Sequence, residues 1–207
     1  MKERIHFLSL ITVLTLLVTA CSESDKQDEF HDWKSRNEAY VDSLAGIVGR
    51  YESSGVTYSN AKPGDMFRIL SYKLDPAKSW GIQDYTYCQL ITKGSGSESP
   101  VYSDSIRINY RGRLIPTPEH PSGYTFDQSY KTEKLDPEVN VPAPFLLSDL
   151  VNGMISSISY MRVGDVWRIH IPYSLGYSKT KKDDIPAYST LVFDVHLVSI
   201  AHTGISF

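Results

Sequence analysis

Six histidines, two cysteines and a scatter of serines are the places where nucleophilic, redox or metal chemistry would have to be built in this 207-residue chain. None is set up for it. His31, His120, His170, His196 and His202 show no pair at metal-ligand spacing, and no cysteine pair joins them. No G-x-S-x-G or comparable nucleophile setting is present. Gly94-Ser95-Gly96-Ser97 contains a G-x-G, but it opens no helix and reads as a turn, not a phosphate cradle. Cys88 has no cation beside it in sequence and reads as a buried, inert thiol. No metal and no cofactor are expected. The formal net charge of −3 offers no basic face for nucleic acid. What remains is apolar: Tyr110, Phe126 and Phe193 lie on strand-like segments, where an aromatic is either ordinary core or the wall of a cleft.

The elements that carry these side chains show in the periodicity. Ile106, Ile108 and Tyr110 alternate with Arg107, Asn109 and Arg111, the two-residue period of a half-buried strand. Trp167, Ile169 and Ile171 repeat it against Arg168 and His170, and Leu191, Phe193, Val195 and Leu197 repeat it again. His170 and His196 fall on the polar sides of two such strands, where they could meet. Residues 66–74 and 82–91 are expected to be further strands, the first stopped by Asp75-Pro76. One helix signal interrupts them: Ser148 as N-cap, then Leu150, Val151, Met154, Ile155, Ile158 and Met161 at helical spacing, with Gly164 permitting the next turn. The sum is an α+β domain with one short helix across a twisted antiparallel sheet. Upstream, over residues 30–51, Phe30, Trp33, Tyr40, Val41, Leu44, Ile47, Val48 and Tyr51 fall on one helical stripe. Such a stripe must dock on the domain or pair with a second copy.

The start of the chain reads as an address. Lys2 and Arg4 precede an apolar run over residues 7–18, followed by Val18-Thr19-Ala20-Cys21, the layout of a secretory signal peptide over residues 1–20. The run is short for a bilayer-spanning helix, which needs about 20 residues. Small residues just before a cysteine resemble a bacterial lipobox. That resemblance implies an acylated Cys21 and a lipid anchor in the bacterial cell envelope, on the periplasmic or surface face of the outer membrane. Residues 21–29 are polar and acidic and read as a flexible tether. Residues 30–80 form a helical extension and residues 81–207 the main domain.

Within that domain the motifs run in a fixed order: I-R-I-N-Y-R-G-R-L at 106–114, Y-T-F-D at 124–127, F-L-L-S-D-L-V-N-G-M at 145–154, M-R-V-G-D-V-W-R-I-H-I-P at 161–172, S-L-G-Y at 174–177 and I-P-A-Y-S-T-L-V-F-D-V at 185–195. Together they resemble the FKBP-type peptidyl-prolyl isomerases. The resemblance implies an FKBP-like twisted antiparallel sheet wrapped around one short helix, here with an N-terminal helical extension. It implies Tyr110, Phe126 and Phe193 as aromatic walls of a proline cavity, Asp127 as a polar partner at its rim and Tyr177 as a donor to a substrate carbonyl. Val151 and Ile185 would complete substrate binding, and Met154 stands where the family has a floor tryptophan. The implied partners are proline-containing unfolded or exported polypeptides, handled either by catalysis or by a non-catalytic chaperone or interaction module. Three segments are this chain's own: residues 116–123, residues 131–144, and the Lys179, Lys181, Lys182 loop with Asp183 and Asp184.

Overall fold

The alternating run at the centre of the chain is strand β3 (Ser105–Arg113), and the other strands are arranged around it. The computed structural model describes residues 28–136 and 139–202. The expected leader and Cys21 lie outside the described residues. All elements below belong to the unit that starts at Asp32. They are helix α1 (Trp33–Ser53), strands β1 (Met66–Leu70), β2 (Tyr85–Thr92), β3, β4 (Thr125–Gln128) and β5 (Ala143–Leu146), helix α2 (Asn152–Ile158), and strands β6 (Val166–Ile171) and β7 (Leu191–Ala201). Strand order is β1-β2-β6-β7-β3-β4, and β5 pairs the first half of β3 where β4 pairs the second. Every pairing is antiparallel. This is the α+β architecture expected, and β1, from within the N-terminal extension, is part of the same sheet.

Strand β2 shows how the two helices are placed. Thr86 Oγ1 and Ser157 Oγ of α2 are 2.8 Å apart, and Cys88 Sγ lies 3.6 Å from the same hydroxyl. Tyr87, between them, packs with Val41, Leu44 and Val48 of α1. Neighbouring strand residues point to opposite faces, so the helices cover opposite faces of the sheet. Helix α2 comes close because its residues are small. A Cβ on Gly153 would lie 2.3 Å from Ile171 Cγ2, so only glycine fits there. The buried hydroxyls keep partners, Ser156 Oγ accepting from Tyr72 N at 3.0 Å.

Helix α1 buries Trp33, Asn37, Val41, Leu44 and Val48. Burying aliphatic side chains of this size stabilises by roughly 1.5–3 kcal/mol each, against the unfavourable nucleation of an isolated helix. Polar bonds set the register: Trp33 Nε1 donates to Ser189 Oγ at 2.8 Å, Thr190 N to Asn37 Oδ1 at 2.7 Å, and the Tyr40 hydroxyl lies 3.0 Å from His170 Nδ1. The stripe therefore docks on the sheet of its own chain.

Four local expectations are corrected. Strand β1 stops at Leu70, because after a last ladder bond from Ser71 N to Asp84 O the chain turns and Leu74 N closes back on Ser71 O. Residues Ile82–Asp84 form a 3-10 turn instead of strand, with the Asp84 carboxylate accepting from Gly81 N at 2.9 Å. Ser148 is not an N-cap. It sits in a 3-10 turn (Leu147–Asp149), Leu150 and Val151 are extended, and α2 begins at Asn152. The cause is a contact distant in sequence, Leu147 N donating to Asp104 O at 2.9 Å. His170 and His196 do not meet, since His196 pairs with Val166 and His170 with Val192. Four residues of ladder, about 13 Å, separate them.

Candidate active site

The opening between β3, β5, β7 and the start of α2 is a cavity of about 410 Å³. Ile108 and Tyr110 enter it from β3, Phe193 from β7 and Phe145 from β5. Leu150 and Val151, extended just before α2, form a further wall with Met154 in the first turn of that helix. The delay in starting α2 is what presents these two residues to the cavity. Tyr177, beyond the turn that follows β6, closes it, and Asp127 and Asp149 stand at its border.

The rings hold one another. Tyr110 meets Phe145 nearly edge-on with centroids 5.6 Å apart, and Phe193 at 6.3 Å. Phe193 in turn takes Phe126 edge to face at 5.5 Å. All three are within the range in which aromatic pairs attract. Gly112 makes this wall possible, because a Cβ there would lie 2.6 Å from the rings of both Phe126 and Phe193. Tyr110 is anchored at both ends: its N–H donates to Ser129 Oγ at 2.9 Å and its phenol to Asp127 Oδ2 at 2.8 Å. Burial first, and then that carboxylate, push the Tyr110 phenol well above its ordinary pKa, so it stays a donor. Burial also raises Tyr177.

Tyr110, Asp127, Val151, Met154, Tyr177 and Phe193 thus come together around one space. Phe126 packs edge to face on Phe193 and so supports the wall from beside the residues that line the cavity. Ile185 is buried in the loop after Tyr177, where its N–H and carbonyl both bond Lys182, and it does not reach the lining. Phe145, Leu150, Ile108 and Gly112 were not singled out from sequence. Ile108 could have been, from its place in the alternation two residues before Tyr110.

A cavity of this kind suits a peptide group undergoing rotation. The barrier of about 18–20 kcal/mol comes from partial double-bond character in C–N, which water on the carbonyl oxygen reinforces. Apolar ring walls withhold that water, and a phenol donor can orient the carbonyl. No group in the lining is placed for covalent attack.

The matches to known proteins agree with the geometry. Residues 96–198 match the family of FKBP-type peptidyl-prolyl cis-trans isomerases. A macrophage infectivity potentiator of Trypanosoma cruzi is 37% identical over 117 residues, covering 56% of this chain and 53% of the relative. The FKBP-type peptidyl-prolyl cis-trans isomerase FkpA of Escherichia coli K12 is 33% identical over 179 residues, covering 84% of this chain and 61% of the relative. The chain therefore spans about half to three-fifths of the length of these relatives. A solved peptidyl-prolyl cis-trans isomerase of Pseudomonas syringae shares the fold, with a TM-score of 0.50 and 23% identity over 80% of this chain and 96% of that one. The protein is of the FKBP class in fold. Through residues 96–198 it belongs to the FKBP-type peptidyl-prolyl cis-trans isomerase family.

Proposed function

We propose that the chain catalyses cis-trans isomerisation of prolyl peptide bonds in the cell envelope, held to a membrane by lipid on Cys21. The observation that carries the enzymatic part is the aromatic cavity, with Tyr110 locked to Asp127 and Tyr177 facing the same space. Prolyl bonds exchange unaided over tens to hundreds of seconds. Lowering their barrier by about 6 kcal/mol would accelerate exchange roughly 10⁴-fold. Shape and polarity matched to the twisted amide supply the difference. The partners are proline-containing exported or unfolded polypeptides. Any pairing of two copies through α1 would use its outward side, since its apolar stripe lies against its own sheet.

The test is exchange NMR on a Leu-Pro peptide, with cis and trans signals broadening or exchanging faster when the protein is added. Exchange no faster than in buffer rejects the enzyme. A second reading, a non-catalytic chaperone with the same cleft, draws on Met154, a flexible side chain where the resemblance places a tryptophan. It predicts peptide binding and suppression of aggregation without acceleration. For the anchor, metabolic labelling with a radioactive or alkynyl fatty acid should mark the wild type and not Cys21→Ala.

A further inference from the structure

On the face of the sheet opposite the aromatic cavity, beside α1, lies a second hollow of about 290 Å³. Its walls bring Arg111, Arg113, Arg168 and Lys134 together with only two carboxylates, Asp194 and Glu133. Asp194 serves two guanidiniums at once. Arg168 Nε donates to its Oδ1 at 2.6 Å and Arg113 Nη2 to its Oδ2 at 2.5 Å. Arg111 bonds no carboxylate among the described residues. It donates to the carbonyls of Thr132 at 2.6 Å and Glu133 at 3.0 Å and to Gln128 Oε1 at 3.0 Å. Four cations against two carboxylates leave a surplus of two positive charges, in a chain whose total is −3.

The hollow is also short of hydrogen-bond partners. Arg113 Nε, Asn109 Oδ1 and His196 Nδ1 are buried in residues that line it and have none among the described residues. Buried polar atoms left unpaired cost about 1–3 kcal/mol each. These three atoms have essentially no surface open to the hollow, so the groups a ligand there can meet are the remaining arginine N–H groups and the Lys134 ammonium, which call for an anion that accepts several hydrogen bonds. Phosphate is such an anion. Arginine also matches phosphate geometry through paired N–H groups. The volume is at the small end for ligand sites and suits such a group better than a large molecule.

We propose that this hollow, formed by β3, β6, β7 and the 130–135 segment, binds a phosphate group. The group comes either from free inorganic phosphate or from the head group of an anionic phospholipid. Binding here is separate from the aromatic cavity and does not depend on isomerase activity.

The test follows the arginine Nε–Hε resonances of the full chain by NMR while inorganic phosphate replaces chloride at constant ionic strength. The expected result is a saturable shift at Arg113 and Arg168, with binding weakened about tenfold in Arg168→Gln. Lys134→Gln, an exposed change that leaves the Asp194 bonds intact, should weaken binding at least twofold and guards against misfolding of the first variant. In a second arm, co-sedimentation with phosphatidylglycerol vesicles is compared with phosphatidylcholine vesicles, in wild type and Lys134→Gln. Preference for the anionic vesicles, lost in the variant, assigns the lipid source. A phosphate shift without vesicle preference assigns the free anion. Shifts that do not saturate, or that persist unchanged in Arg168→Gln and Lys134→Gln, together with no vesicle preference, overturn the proposal.

Discussion

The Tyr110 hydroxyl donates to Asp127 Oδ2 at 2.8 Å, joining β3 to β4 across the border of the aromatic cavity. A phenol has a single hydrogen to donate, and this one is already placed. On the proposed function, the donor left for a substrate carbonyl is Tyr177, which lines the same cavity and whose hydroxyl has no hydrogen-bond partner among the described residues.

Tyr177→Phe should lower kcat/KM on a prolyl peptide about 2- to 10-fold, the equivalent of a hydrogen bond contributing about 0.5–1.5 kcal/mol. Tyr110→Phe should lower it less. It keeps the ring contacts with Phe145 and Phe193 and leaves behind only an exposed carboxylate that water can solvate. Line-shape analysis of the cis and trans peptide signals measures both. Equal losses in the two variants would contradict this division of roles.

Gly112→Ala should disturb the cavity without touching its lining. The new methyl would sit 2.6 Å from two rings, so Phe126 or Phe193 must move. Overpacking of this kind costs about 1–3 kcal/mol. Urea denaturation should show a lower midpoint with an unchanged slope, and peptide affinity should fall with it. A variant as stable as the wild type would mean the rings relax freely and the wall is soft.

Much of this arrangement was legible in the chain because alternation is a local property. Ile106, Ile108 and Tyr110 announce both a strand and the face it buries, and the same holds for Phe193 on β7. What escaped was set by contacts between distant segments. The start of α2 depends on Leu147 bonding Asp104, 43 positions earlier, and no local pattern reports that. Phe145 was hidden because β5 carries Pro144, which reads as a breaker, yet an edge strand tolerates proline. Asn37 is polar and so fell outside the apolar stripe of α1, although it is fully buried and bonded to Thr190. The meeting of Arg113, Arg168 and Asp194 follows from strand register, which only the paired sheet defines.

His170 should make the fold sensitive to acid. It lies buried between α1 and β6, and desolvation, helped by the Arg168 charge, pulls its pKa down to about 4 from the usual 6.5 or so. Its depressed pKa means the unfolded chain binds the proton first. Stability is then complete above about pH 6.5, declines as the pH falls towards 4, and changes no further below that. The shift corresponds to about 3 kcal/mol over the whole window. Urea midpoints for wild type and His170→Asn at pH 7 and pH 4.5 measure it, and the pH-dependent difference between the two proteins should approach that size. Parallel declines would place the acid sensitivity elsewhere.

His202 should act in the opposite sense at the end of β7. Its Nδ1 lies 2.9 Å from Oδ2 of the buried Asp104, which also accepts from Val101 N at 2.8 Å, and its Nε2 lies 3.3 Å from Glu98. Hydrogen bonds donated to Glu98 and Asp104 raise its pKa above the ordinary imidazole value. Only the protonated ring donates to both carboxylates. The stabilisation is therefore fully present below about pH 6.5 and is lost as the pH rises through the raised folded-state value. The effect is local, because Ser105 of β3 pairs with Ala201 beside the histidine. Amide hydrogen exchange, corrected for its intrinsic pH dependence, should show less protection for Ala201 and its neighbours at pH 8.5 than at pH 6. His202→Gln should abolish that difference while leaving the centre of β7 unchanged. Protection that stays level between the two pH values in the wild type would show that a single imidazole hydrogen bond suffices to hold the strand end.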